Sequence, residues 1–176
     1  FADAEAVARA RALVVSMNAR IGTYLALKAL LSVLLAVVSW AVMVYFGLEL
    51  ALFWALLIGF LNFVPYLGSF LGVALPVALA LVQFPDLGTV MALLAALTLV
   101  QFVIGNFIDP YLLGNSLNLS TFAILASLMV WSALWGIPGA FLAVPLTAVM
   151  VIVLSEFPST RPLAILLSRT GELRAA

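Results

Sequence analysis

The chain has 176 residues, 67% hydrophobic and 8% charged, with a mean hydropathy of +1.33; soluble domains carry about 25% charged residues, so this is an integral membrane protein. Seven Lys and Arg balance seven Asp and Glu, and Cys and His are both absent, which excludes disulfides, thiol catalysis and the commonest metal ligands. Arg9, Arg11, Arg20 and Lys28 precede or open the first apolar run, Arg161, Arg169 and Arg174 follow the last, and residues 29 to 160 hold neither Lys nor Arg, far too sparse a set for a nucleic-acid surface.

By the positive-inside rule both ends lie in the cytoplasm, and the number of crossings between them is even. The chain begins at Phe1 with no initiator Met, which suggests a piece of a longer protein. Residues 1 to 22 mix Ala and larger apolar residues with three Arg and read as a cytoplasmic or interfacial amphipathic helix. Residues 23 to 156 read as the membrane domain. Its first span, about residues 24 to 46, is apolar except for Lys28, Ser32 and Ser39, and Lys28 lies near enough to the end to snorkel to the interface. Gly47 ends this helix, and Glu49 is expected in the first turn of the next, where the dipole favours an acid.

A broken apolar pair follows over about residues 50 to 83. Its two arms meet at NFVPYLGSFLG, Asn62 to Gly72, where Pro65 removes a backbone donor and Gly68 and Gly72 form a GxxxG pair open to a neighbouring backbone. Asp86 caps the next span, about residues 88 to 108. Thr98, Gln101, Gly105 and Asp109 follow one another there at spacings of three, four and four, which predicts one polar helical face, either lining a cavity or forming a helix seam.

The stretch NFIDPYLLGNSLN, Asn106 to Asn118, is the one long polar interruption. Asp109 directly before Pro110 puts a carboxylate where an ordinary helix is not expected to continue. Such an acid is a functional site if it lies at membrane depth, and part of a surface loop otherwise. A second broken pair, about residues 119 to 155, turns at Gly136, Pro138 and Gly139 and is interrupted again at Pro145. Residues 157 to 176 form a cytoplasmic tail. The predicted class is therefore an all-α polytopic helical bundle with Pro/Gly-broken helices or re-entrant hairpins, and both topologies keep the crossing number even.

NFVPYLG at Asn62 to Gly68 recurs as NFIDPYLLG at Asn106 to Gly114, with Asp109 and one Leu inserted. This echo gives a repeat of about 44 residues in the order span, hairpin, span, hairpin, and transporters pair interrupted helices from corresponding halves around a midplane site.

At LNFVPYLGSFLG (Leu61 to Gly72), DPYLLGNSLNLS (Asp109 to Ser120) and GIPGAFLAVPLTA (Gly136 to Ala148), the chain resembles the autoinducer-2 exporter family of bacterial permease-like proteins. The likeness runs from about Ile21 to Glu156, and the chain looks like the C-terminal half of such a protein. It departs from the family pattern at Ser120-Thr121, where Pro is frequent, and at Trp131-Ser132, where a Gly-rich bend is frequent. The resemblance implies export or permease activity toward a small polar solute or signalling molecule, a bacterial inner-membrane location, and a homo-oligomeric ring such as a pentamer.

Two functions are weighed. In the first, the chain is a secondary transporter in the lipid bilayer, with proton or sodium coupling left open. Its solute and ion pathway comprises Asn62, Pro65, Tyr66, Gly68, Thr98, Gln101, Asn106, Asp109, Pro110 and Gly114, and its hinges and packing points are Gly72, Gly136, Pro138, Gly139 and Pro145. In the second, it is a non-transporting scaffold whose broken helices serve homo-oligomer packing. An enzyme is not expected, because Asp109 has no second acid in a comparable membrane segment and no His or Cys beside it. Nor is any cofactor, metal or nucleic-acid partner implied.

Overall fold

In the computed structural model, residues 2–113, 119–157 and 159–169 are described. They form an all-α integral membrane protein with no strand among the described residues. Three helical segments are long and apolar enough to cross a bilayer, Ile21–Tyr45, Leu87–Leu113 and Ile137–Ser155. The chain forms two compact units, residues 26–114 and residues 1–25 with 115–176.

α1, Ala2–Tyr45, is one uninterrupted helix, so the expected boundary near residue 22 is a change of composition within it. Gly22 alone, with no Pro beside it, does not stop a run of good helix formers. α1 ends in a Schellman turn: Gly47 takes φ 74°, its N–H bonds Val44 O at 3.0 Å, and Leu48 N–H bonds Met43 O at 2.9 Å. Only glycine adopts that φ without strain, and the turn satisfies carbonyls that the helix end leaves open. Met43 and Leu48 are both buried, completing the apolar contact that accompanies such a turn.

In the first unit, α2 (Ala51–Leu61) and α3 (Leu67–Gln83) form a hairpin against α1. Ala51, Ala55 and Gly59 line its buried face, and a Cβ on Gly59 would lie 3.0 Å from Ser32 O and 3.1 Å from Ala36 Cβ. Small residues at every fourth position let helix axes approach closely, which is how helices associate where lipid is as apolar as leucine. Glu49 lies ahead of α2 rather than in its first turn, because Leu50 is the N-cap. The turn is held instead from the far end of the hairpin: Glu49 N–H bonds Gln83 Oε1 at 2.8 Å, and Gln83 Nε2 bonds Gly47 O at 2.8 Å. Hence α2 and α3 begin and end beside the same end of α1.

Asp86 caps α4 (Leu87–Val103) by accepting from Gly88 N–H and Thr89 N–H. α4 runs into a π-helical turn, Ile104–Ile108, and then α5, Asp109–Leu113. The helix expected to break at Asp109-Pro110 therefore continues. Asp109 N–H bonds Ile104 O five residues back, and this wider turn accommodates a proline that would otherwise crowd the carbonyl four residues before it.

In the second unit, Ser120 caps α6 (Thr121–Trp135) through Ala123 N–H at 3.1 Å. Gly136 at φ 65° turns the chain into α7 (Ile137–Glu156), with Pro138 in the first turn, where a missing N–H costs nothing. Gly139 lies under the Trp131 carbonyl so closely that a Cβ would collide with it. Trp131 Nε1 donates to the buried Thr147 Oγ1 at 3.0 Å, pinning α6 to α7. Pro145 lies buried inside α7 without ending it. α8, Arg161–Leu167, returns to the start of α6, where Ser120 N–H bonds Leu167 O at 2.9 Å.

Candidate functional site

The polar centre of the first unit is built around Lys28. Rather than snorkelling outward, its side chain is 8% exposed, and Nζ lies 3.0 Å from Asp109 Oδ2, whose side chain is 19% exposed. Nζ also donates to Asn62 Oδ1 at 3.5 Å, and Asn62 Nδ2 donates to Ser32 Oγ at 3.0 Å. Lys28 and Ser32 lie one turn apart on one face of α1. Asn62 comes from the tip of the α2–α3 hairpin, and Asp109 opens α5. A charge at membrane depth is tolerated when paired in this way, and removing one partner of a buried pair typically costs about 3–5 kcal/mol.

The hairpin tip is shaped by its sequence. Val64 N–H bonds Leu61 O at 2.9 Å, and Leu67 N–H bonds Pro65 O at 2.7 Å. Gly68 is buried so close to Leu61 that a Cβ would strike the Leu61 carbonyl. Tyr66, the N-cap of α3, has φ 62°, a conformation that costs a non-glycine residue of order 1–3 kcal/mol and persists only where its surroundings enforce it. Its side chain is 56% exposed. One turn along α3, Gly72 leaves room for Gln101: a Cβ there would lie 2.9 Å from Gln101 Nε2.

The remaining expected residues divide. Asn62 and Asp109 meet at Lys28, and Gln101 lies against α3 at Gly72. Thr98 is on the exposed side of α4, in a shallow groove of about 400 Å³ with Met91, Leu94, Ala95, Leu99 and Phe102. Gly105 faces open space, and the exposed Asn106 donates to Phe102 O of its own helix at 3.0 Å. The predicted polar stripe is thus split: Gln101 faces α3 while Thr98 and Gly105 are exposed, and the π turn then shifts Asp109 relative to all three. Pro110 is exposed. Gly114 lies outside the described residues, and Gly136, Pro138, Gly139 and Pro145 belong to the second unit.

Lys28 was the residue missed, although a signal for it exists. Between residues 24 and 113 the charged residues are Lys28, Glu49, Asp86 and Asp109. The middle two sit at turns, so one base and one acid remain inside apolar helices, and such charges pair. Asp109 Oδ1 is buried and accepts no hydrogen bond among the described residues.

These features define a polytopic helical membrane protein with a buried ion pair gripped by a helical hairpin. The chain belongs to the AI-2E transporter family: the model for "AI-2E family transporter" matches residues 1–159. It is 36% identical over 145 residues to the AI-2 transport protein TqsA of Escherichia coli K12, covering 82% of this chain and 42% of that protein. It is 37% identical over 144 residues to the candidate transport protein YhhT of the same organism, covering 82% and 41%. A candidate transport protein of Borreliella burgdorferi is 34% identical over 142 residues, covering 80% and 39%. The chain therefore spans about two fifths of the length of these relatives. Their names denote transport proteins rather than enzymes.

Proposed function

We propose that this chain forms the solute- and ion-handling part of a bacterial secondary transporter. The observation that carries the reading is the meeting of Asn62, from a strained hairpin tip, with Lys28 and Asp109 inside apolar helices. Evolved membrane proteins hold charges there chiefly on substrate or ion pathways. Asn62 meets α1 at Lys28 and Ser32, roughly 20–25 Å of helical rise from Tyr45, while Gln83 returns to Gly47. That geometry favours α2–α3 as a re-entrant hairpin. The basic residues at both ends support cytoplasmic termini in the inner membrane, and family membership supports a homo-oligomeric ring.

The AI-2 for which one relative is named is the first solute to assay. In reconstituted vesicles, Asp109→Asn is expected to abolish coupled transport while the protein still inserts. Unchanged flux and pH dependence in that variant would sink the reading. A scaffold is distinguished by cysteines at Asn62 and Asn106, which aqueous thiol reagent reaches in a transporter and does not reach in a scaffold.

A further inference from the structure

α8 closes the open base of the α6–α7 hairpin. At its start, Thr160 Oγ1 donates to Leu154 O in the last turn of α7 at 2.8 Å. At its end, Ser120 N–H bonds Leu167 O at 2.9 Å, and Leu119 pairs with Ser168. Its seven residues rise about 10 Å, close to the distance of about 8–10 Å between two packed helix axes, so α8 lies across the hairpin rather than along it. α7 carries the membrane span Ile137–Ser155, which puts a crosswise helix at its end along the membrane surface. The side chains of α8 are arranged in the reverse of a soluble helix. The small residues Ala164 and Ser168, one turn apart, are buried, whereas Leu163 and Ile165 are exposed and Leu166 is 73% exposed. Phe157, in the turn before the helix, is exposed as well. Arg161 and Arg169 flank this apolar face, both exposed, and neither forms an ion pair among the described residues. Residues 157 to 169 contain no Asp or Glu, Glu156 and Glu172 lying just outside.

We infer that α8 is an in-plane anchor that binds anionic phospholipid. Phe157, Leu163 and Leu166 enter the boundary between headgroups and acyl chains, and Arg161 and Arg169 take headgroup phosphates at the two ends of the helix. The chemistry matches part by part: guanidinium meets phosphate while the leucines meet the first methylenes of the tails. A zwitterionic lipid offers the same phosphate but brings its own cation, so a surface with two arginines and no acid selects the anionic headgroup. Residues 157 to 169, expected from sequence to belong to a cytoplasmic tail, are by this inference held at the membrane surface. Because α8 is bonded to the end of α7 and to the start of α6, lipid bound there sets the depth of the hairpin base. This holds whether or not the chain carries a solute.

The chain has no Cys, so Leu166→Cys in the full chain takes a single small bimane fluorophore. The labelled protein is placed in nanodiscs of equal parts phosphatidylglycerol and phosphatidylcholine, with bromine near the top of the acyl chains of one lipid or of the other at the same overall composition. Brominated lipid is expected to quench the label, and iodide in the water to quench it several-fold less. Brominated phosphatidylglycerol is expected to quench about three-fold more strongly than brominated phosphatidylcholine, and Arg161→Gln/Arg169→Gln to bring that ratio to about one. Equal quenching by the two lipids while both arginines are present overturns the inference, as does a ratio that the double variant leaves unchanged. Quenching by iodide but not by lipid would make the segment an aqueous tail, and quenching by neither would mean that a second copy or another protein covers α8; each overturns it too. Should the double variant fail to fold, the protein with both arginines decides: raising NaCl from about 50 to about 500 mM is expected to bring the ratio towards one, and an unchanged ratio overturns the inference. No readout involves transport, so failure here and failure of the transporter reading are told apart.

Discussion

Asn62–Gly68 and Asn106–Leu113 carry nearly the same residues, yet the first turns back on itself while the second stays helical. In the first, Pro65 is followed by Tyr66 at φ 62° and by Gly68, whose missing Cβ lets α3 fold back onto the Leu61 carbonyl. In the second, Asp109 is inserted before Pro110, a π turn absorbs the proline, and the extra Leu moves the glycine to position 114. Both copies nevertheless deliver a polar side chain to Lys28 Nζ. A short motif thus specifies which side chains are available, and the residue inserted before its second proline goes with a π turn where the first copy has a reversal.

The largest effects are expected where the two copies meet. Lys28→Met and Asp109→Asn should each lose about 3–5 kcal/mol, because each strands a buried charge, and the double variant should recover most of the loss. Denaturant unfolding in nanodiscs measures this, and additive losses would show that the pair is not coupled. Next, Gly68→Ala should cost about 1–3 kcal/mol by forcing α3 off Leu61. Gly105→Ala, in open space on the helical copy, should be neutral or stabilising by up to about 1 kcal/mol. Equal effects at the two glycines would remove the contrast drawn above.

A smaller change is expected at Pro110. Pro110→Ala supplies a backbone N–H and removes the ring that the π turn accommodates, so hydrogen exchange should slow at residues 104 to 110 while stability moves by less than about 1 kcal/mol. Unaltered exchange would mean that another contact imposes the π turn. The smallest effect concerns Asp86, outside both copies. Thr89 N–H, then the Thr89 hydroxyl, then Gly88 N–H hold its carboxyl below the ordinary value. A group lowered in this way stabilises the fold above the usual carboxylate range, and the contribution is lost as pH falls through the lowered value. Asp86→Asn keeps a cap but cannot titrate. Its melting temperature should therefore fall less than that of wild type as pH drops from about 7 to about 3.

Much of the candidate site was legible as residue types. The polar interruptions of an apolar chain pointed to Asn62 and Asp109, since an amide or acid at membrane depth needs a reason. Gly72 was legible as a point of close approach, though its neighbour, the Gln101 side chain, was not. The ordinary helical period places Thr98 and Gly105 on the same face as Asp109. The count fails where the π turn adds a residue, and a π turn leaves little trace in composition.

The sequence by itself determined the class of protein: a chain so apolar, with its charges at the ends and at turns apart from Lys28 and Asp109, has helices in lipid as its stable form, because each helix satisfies its own backbone. It also determined local features that depend on neighbours along the chain, such as the Asp86 cap and the Gly47 turn. Only the tertiary structure decided that Lys28 pairs with Asp109, 81 residues away, and that Gln83 closes the turn at Gly47 and Glu49. Those choices depend on which helices lie side by side and at what depth. In a chain where nearly every helix face is apolar, hydrophobic pattern carries too little contrast to rank the possible neighbours.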